Sequence, residues 1–521
     1  MDEVLSMNDV NPKNTFRQFY ESVLFWEAFP HLYFLLLKYW VYCFGFTSMA
    51  ARVLSAVIGV AGVYSMYLLG KELYNKRCGL IVAALTAINI YHIYYSQEVR
   101  PYGLLFFFSV LSFYRMAILI RNPNYKNAII YGVFTGLMVN AHFFGLLTIF
   151  AQSMILLFFL FNTNPDEQKR FFLFLLAAAV VTIILILPTY QALLQISQIK
   201  TIWINKPAPD SFTLMFKEFF GNSELLLFIF NVLLMYYFII LFKTRLANRS
   251  NEAILGNKMI FTFIIFVSWI FISLLVPIIK SYLDVSMILT RYFINILPAL
   301  LLVVVIGIEL IRSQIVRNSV IAIIVIFSLV ELFVIKDYYN TPTKSEYKEL
   351  TAGIKQRNKE NVKIVTFWSW IFPYYFQDNP SQKFEHAENL EEYVGKMITR
   401  SVPIKSFWYA DSNGRPIVLS ENAQKFMDEN FFLKHKLERM DAWANYYVSR
   451  RPEEVVINEP IDLSLFKNAT FDGTGNLIFI MNSTAIAPAI SLEPGNYELA
   501  IKGNSLPAKP INGENAHLIA K

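Results

Sequence analysis

The sequence predicts a mainly α protein: a polytopic helical membrane domain of about ten transmembrane helices plus juxtamembrane helices, followed by an extracytoplasmic α/β and β-rich domain. Three observations predict it. Of the 521 residues, 55% are apolar and only 16% are charged, and the mean hydropathy is +0.42, far from a soluble composition. Apolar runs of about twenty residues, the length that crosses roughly 30 Å of hydrocarbon, recur between residues 53 and 334. Beyond about Asp337 the chain turns polar and changes to helix-then-strand patterning. The 47 Phe, 29 Tyr and 8 Trp suit many helix ends parked at two water-lipid interfaces. Cys43 and Cys78 lie in or beside apolar runs and offer neither a disulfide framework nor a thiolate metal cage. The net charge of +7 sits mainly in short loops between apolar runs, which speaks for membrane topology and against nucleic acid.

Residues 1–50 read as an external loop with an acidic pair, Asp2-Glu3, and a juxtamembrane helix. The segment PHLYFLLLKYWVYCF, from Pro30 to Phe44, is aromatic, short and carries Lys38, which suits a helix lying along the interface. The transmembrane domain, 51–337, holds ten runs: 53–70, 79–96, 102–120, 128–144, 146–161, 171–190, 225–242, 259–279, 288–308 and 319–334. Residues 127–165 contain no Asp, Glu, Lys or Arg, so they make two spans broken at 140–145, with His142 marking the hairpin. Alternate loops carry thirteen Lys and Arg in one set, Arg77, Arg121 and Lys258 among them, against six in the other, which includes Arg100 and Arg291. The positive-inside rule makes the first set cytoplasmic. The N-terminal segment, the 191–222 loop and the tail then lie outside.

The tail divides into an α/β domain, 338–452, and a β-rich segment, 453–521. An amphipathic helix is expected over 347–357 and a buried strand over 362–367. Strands are expected at 455–457, 477–481 and 497–501, around turns at Asp472-Gly473 and Pro494-Gly495. The last of these resembles a β-sandwich that stops unfinished, so the C terminus is expected to continue.

Polar residues placed against cost mark function in a membrane protein. Asp2-Glu3, then Glu98, Arg100 and Tyr102, then His142, then Arg291-Tyr292 all fall at the outer ends of the expected spans. Taken singly, each has an ordinary explanation as a solvated terminus, an interfacial anchor or a neutralised pair. Together on one face, carboxylates, guanidiniums and tyrosines around apolar helices suit a substrate with a phosphate head and a lipid tail.

The run RVLSAVIGVAGVYSMYLLGKELYNKRCGLIVAALTAINIYHIYYSQEVRPYGLL, Arg52 to Leu105, resembles the GT-C class membrane glycosyltransferases of the dolichyl-phosphate-mannose-protein mannosyltransferase-like family (glycosyltransferase family 39 type), which includes aminoarabinose transferases acting on lipid A. Asp2-Glu3 is similar to the acidic pair of that family's first external loop. Pro30 with Leu32-Tyr33, Gln97-Glu98 with Arg100, His142-Phe143, and Arg291-Tyr292 with Pro298 resemble its later signatures. Coverage is about residues 1 to 360. Phe29 and His31 stand where the family shows His and a second Pro, and the family carries a transmembrane helix ahead of the acidic pair, so a further upstream helix is expected.

The resemblance implies inverting transfer of a sugar from a polyprenyl-phosphate-linked donor to a lipid, glycan or protein acceptor at the outer face of a plasma (inner) membrane. It implies Asp2 as base with Glu3 assisting, and Glu98, Arg100, Tyr102, His142, Arg291, Tyr292 and His31 around the donor phosphate and sugar. No Asp-x-Asp motif demands a nucleotide-bound metal. No cofactor is certain, although His142 could ligate a divalent cation. A transporter or flippase for lipid-linked saccharide, and a non-catalytic glycan-binding membrane subunit, are the alternatives, and turnover of donor lipid separates them from the enzyme.

Overall fold

A computed structural model describes residues 2–27, 29–198, 204–244 and 250–450, together with two backbone segments, 470–471 and 477–478; the side chain of Asp2 lies outside the described residues. The chain forms two compact units, Met1–Thr343 and Lys344–Lys521.

The first unit opens with α1 (Asp2–Asp9) and α2 (Phe16–Ser22). The Thr15 side chain accepts from the Gln18 amide and the Gln18 side chain returns a bond to the Thr15 amide, a reciprocal cap that fixes where α2 begins. A π-helical turn, Val23–Glu27, extends α2 and delivers Glu27 to the interior. The amphipathic reading of Pro30 to Phe44 corresponds to α3 (Leu32–Phe44), whose 13 residues give it about 20 Å, too little to span.

Each of the ten apolar runs is helical. Among the described residues, seven helices are long and apolar enough to cross a membrane, or eight if one bent pair counts as a span. In order these are α4 (Ser48–Leu73), the pair α5 (Lys76–Ile88) and α6 (Ile90–Ser96), and α7 (Tyr102–Arg121). After α8 (Tyr125–Ala141) and α9 (Gly145–Phe161) comes α10 (Pro165–Ile186), which continues into α11 (Tyr190–Ser197). Beyond the short α12 (Ser211–Phe219) follow α13 (Glu224–Lys243), the one-turn α14 (Asn251–Gly256) and α15 (Lys258–Leu283). A 3₁₀ segment, Thr290–Ile296, leads into α16 (Leu297–Glu309), and α17 (Gln314–Val330) closes the unit. The two runs outside the seven or eight are α8 and α9, each of 17 residues, about 25 Å long and so at the short end of what a bilayer needs.

Two local features shape this bundle. Between α5 and α6 the axis turns by 66°. Asn89 makes that bend affordable: its Oδ1 accepts the His92 amide and its Nδ2 donates to the Phe219 carbonyl, satisfying groups that the break exposes. Packing of α4 on α5 relies on glycine, since a Cβ at Gly79 would stand 2.6 Å from the Tyr67 carbonyl oxygen. Burial is uneven among helices of similar apolarity. The spans at 102–121 and 290–309 are 78% and 89% buried, whereas those at 165–197, 224–243 and 314–335 are 17% buried. The first two therefore form the centre, and the others face outward where lipid would lie.

The second unit is built on a five-stranded sheet in the order β2-β1-β3-β5-β4. After α18 (Tyr347–Arg357) come β1 (Ile364–Thr366), the single turn α19 (Phe372–Tyr375), β2 (Phe384–His386), α20 (Leu390–Ile398), β3 (Phe407–Ser412), α21 (Glu421–Asn430), β4 (Phe431–Arg439) and β5 (Ala442–Ser449). β1 pairs in parallel with β2 and β3, while β5 is antiparallel to β3 and β4. Its core gathers Val365, Tyr393, Val394, Met397, Phe407 and Phe431. The helix at 347–357 and the strand within 362–367 fall where the sequence places them. The β4–β5 hairpin, within the expected α/β domain, has no counterpart among the strands read from the sequence. β4 is an edge strand with weak alternation of burial and a register shift between Leu433 and His435, so its period-2 signal is lost. Residues 470–471 pair antiparallel with 477–478, within the expected 477–481 strand. The strands expected at 455–457 and 497–501, and both expected turns, lie outside the described residues.

Candidate functional site

At one end of the first unit the loop between α6 and α7, the hairpin tip between α8 and α9, and the 3₁₀ segment before α16 converge beneath α1, α2 and the π turn. Arg100 is the anchor. Its Nη1 donates to both carboxylate oxygens of Glu27 at 2.6 Å and to the Ser6 hydroxyl at 3.1 Å, and the Arg100 and Glu27 side chains are 5% and 1% exposed. Removing such a pair from water costs several kcal/mol per ion before attraction repays it, so this placement needs a reason beyond packing. The Phe29 ring lies 5.0 Å from the Arg100 guanidinium.

Around Phe29 the aromatic side chains close into one cluster. Its ring centroid is 5.0 Å from His142, 6.4 Å from Tyr102 and 6.5 Å from Tyr292. His142 and Tyr292 are 5.3 Å apart, Tyr102 and Tyr292 6.3 Å. The Arg291 guanidinium stands over Tyr102 at 5.9 Å and over Tyr292 at 5.8 Å. Sequence separations near 40 and 150 residues are thus brought together by the bundle, with Arg291 and Tyr292 carried on the 3₁₀ segment.

Two donors in this cluster are buried with no hydrogen-bond partner among the described residues: the Tyr102 hydroxyl and His142 Nε2. The His142 Nδ1 accepts the Phe144 amide at 3.1 Å, which places the neutral ring's proton on Nε2. An N–H and an O–H therefore stand buried beside two guanidiniums. An orphaned buried donor costs about 1–3 kcal/mol, and an anionic ligand with several acceptor oxygens would recover that cost.

A second carboxyl backs Glu27. Asp9 ends α1, is buried, and accepts the Ser22 hydroxyl. Burial, and next the nearby Glu27 charge, push its carboxyl from 3.8 up to about 7. Among the described residues no group of three or more His, Cys, Asp or Glu side chains gathers, so His142 belongs to no metal-ligand cluster there.

Residues 29–190 match the family described as Dolichyl-phosphate-mannose-protein mannosyltransferase. The crystal structure of ArnT from Cupriavidus metallidurans bound to undecaprenyl phosphate is similar in fold, with a TM-score of 0.51 at 10% identity, covering 80% of this chain and 88% of that one. The chain shares the fold of that structure. The apo form of that ArnT superposes equally well, with a TM-score of 0.51 at 10% identity over 80% of this chain and 87% of that one. A match to the Archaeoglobus fulgidus oligosaccharyltransferase complex with Zn and sulfate is weaker, with a TM-score of 0.48 at 13% identity over 78% of this chain and 63% of that one. No curated protein matches the chain by sequence.

The family match takes in Phe29, Arg100, Tyr102 and His142, while Asp2, Glu3, Arg291 and Tyr292 lie beyond its limits. The fold joins Arg100, Tyr102, His142, Arg291 and Tyr292 in one cluster. Glu98 is buried within electrostatic reach of Tyr95 and Tyr102. Glu3 is held by Arg52 Nη2 at 2.6 Å and by the Val99 amide at 3.1 Å, which ties it to the Arg100 loop through the backbone. His31 makes its contacts elsewhere: it stacks on Tyr20 at 4.2 Å and its Nε2 lies 3.1 Å from the Tyr20 carbonyl oxygen, and burial lowers its pKa.

Four residues of the site escape the sequence reading: Ser6, Asp9, Glu27 and Phe29 as a packing centre. Glu27 left a signal. It is an acid in the run LFWEAFP, directly before Pro30, and a lone carboxylate among aromatics at a membrane face is expensive. Phe29 registers in the sequence only as a departure from the family pattern, and Asp9 carries no local signal.

Proposed function

We propose that the first unit transfers a sugar from a polyprenyl-phosphate-linked donor to an acceptor at the outer face of a plasma membrane, with inversion, and that the second unit lies on that same side. The observation that carries this reading is the pair of buried, unpartnered donors, Tyr102 O–H and His142 Nε2–H, beside Arg100 and Arg291. A phosphate bridging lipid and sugar presents free acceptor oxygens and a negative charge, which grows as the phosphomonoester leaves, the complement of this donor set. The undecaprenyl phosphate bound by the ArnT of similar fold is a ligand of that chemistry.

In the proposed reaction an acceptor hydroxyl oxygen attacks the anomeric carbon as the bond from that carbon to the phosphate oxygen breaks. The electron pair leaves with polyprenyl phosphate, where charge develops, and Arg100, Arg291, Tyr102 and His142 meet that charge. The hydroxyl proton passes to a carboxylate, for which Asp2, assisted by Glu3, is the proposed base. Single displacement inverts the anomeric centre. The sugar and the acceptor are open to assay.

The test is release of free polyprenyl phosphate from labelled polyprenyl-phosphate hexoses by the purified chain, compared with Asp2→Asn and Tyr102→Phe. Release that both substitutions depress supports the reading and the base. Absence of release across several donor sugars and acceptors overturns it, and flux of intact lipid-linked saccharide would then identify a transporter.

A further inference from the structure

The sheet of the second unit carries a site of its own. From β1 the chain moves to β2 on one side, then crosses back past β1 to reach β3 on the other. In parallel sheets wound this way the connections leaving β1 and β3 diverge, which opens a crevice outside their carboxyl ends where ligands bind. Here that crevice is lined by aromatic and polar side chains from all three strand ends.

Phe367, Trp368 and Trp370 follow β1, His386 ends β2, and Asp411 and Arg415 belong to the end of β3. Asp411 is buried and organises the rest. It accepts Trp368 Nε1 at 3.1 Å, the Tyr409 hydroxyl at 3.2 Å and Arg415 Nε at 3.2 Å. Arg415 lies 4.1 Å over the Phe367 ring, Trp368 and Trp370 meet at 5.9 Å and 74°, and Phe367 stands 5.6 Å from His386. Trp370 is 37% exposed, so part of its ring face is open to a ligand. The result is an aromatic wall with a guanidinium fixed at its edge, while His386 has both ring nitrogens engaged, one with the Phe367 carbonyl and one with the Glu388 carboxylate.

The ligand class follows from what the loop lacks as well as what it has. The segment Phe367-Trp368-Ser369-Trp370 contains no glycine, so it offers no backbone cradle for phosphate. Apolar ring faces next to planar hydrogen-bonding groups match a sugar ring, which has a C–H face and a hydroxyl edge. We propose that the crevice at the carboxyl ends of β1 and β3 is a saccharide-binding subsite, with the sugar's apolar face on Trp370 and its hydroxyls on Arg415. It stands independently of whether the first unit transfers sugar.

The experiment is calorimetry and saturation-transfer NMR of the full chain, in nanodiscs free of glycoside detergent, with neutral trisaccharides of glucose, galactose, mannose and N-acetylglucosamine. At least one should bind, Trp370→Ala should weaken it roughly tenfold, and Trp370→Phe should retain most of the affinity. Arg415→Lys should weaken it while leaving the thermal transition in place. Release of polyprenyl phosphate should be unchanged in Trp370→Ala, which separates this subsite from the transfer reaction. Failure of all four sugars to bind, an affinity indifferent to Trp370→Ala, or displacement of the sugar by phosphate would each overturn the proposal.

Discussion

Helix α7 begins beside one arginine–glutamate pair and ends in another, about 30 Å away along its axis. At its end, Arg121 donates to the Glu72 carbonyl at 2.7 Å and to its carboxylate at 2.9 Å, and both side chains are 26% exposed. That pair staples α7 to α4 where water shares the work. At its start, Arg100 and Glu27 are almost wholly buried, and the donors beside them, Tyr102 and His142, lack partners. The same two residue types therefore act as a surface clamp at one end and as a buried anchor among unsatisfied donors at the other. What separates them is the solvation of their neighbours, since a buried polar group that stays unsatisfied marks a place meant for something else.

Breaking each pair sharpens this contrast. Arg100→Ala leaves the Glu27 charge buried and uncompensated, and is expected to cost about 3–5 kcal/mol of stability as well as donor cleavage; detergent thermal unfolding and the release assay read the two effects. A melting shift no larger than that of Arg121→Ala would erase the distinction. Tyr102→Phe removes an orphaned hydroxyl and should leave the melting temperature near the wild-type value. Donor cleavage should nevertheless fall about 10- to 100-fold, the worth of a hydrogen bond to a charged group; an equal loss of stability would assign Tyr102 to packing.

Asp9 gives the next effect, through pH. Its carboxyl is raised from 3.8 to about 7 in the fold, so between those values the folded chain holds a proton that the unfolded chain has released. Stability therefore declines as pH rises from about 4 to about 7 and levels off above. Asp9→Asn should remove that part of the slope in a melting-temperature series, and an unchanged slope would place the titration elsewhere. Smallest is Arg121→Ala, expected to cost at most about 1 kcal/mol and to leave donor cleavage untouched.

The sequence by itself determined that ten apolar stretches become helices, that a polar domain with a helix and a buried strand follows them, and that Arg100, Tyr102, His142, Arg291 and Tyr292 stand at helix ends. These are local properties: bilayer thickness sets run length, and a charge at an apolar boundary is visible one residue at a time. Only the tertiary structure decided which spans are central, because lipid and protein core are equally apolar. The run at 165–197 has the higher mean hydropathy, 2.9 against 2.0 for 102–121, yet is 17% buried against 78%. It also decided which acid meets Arg100. Glu27 reaches it across 73 residues through a π turn and the bend at Asn89, and pairing over such a distance depends on packing geometry that no local pattern encodes. The β4–β5 hairpin was lost for a related reason, since an edge strand broken by a register shift keeps its hydrogen bonds but not the regular alternation by which a strand is read.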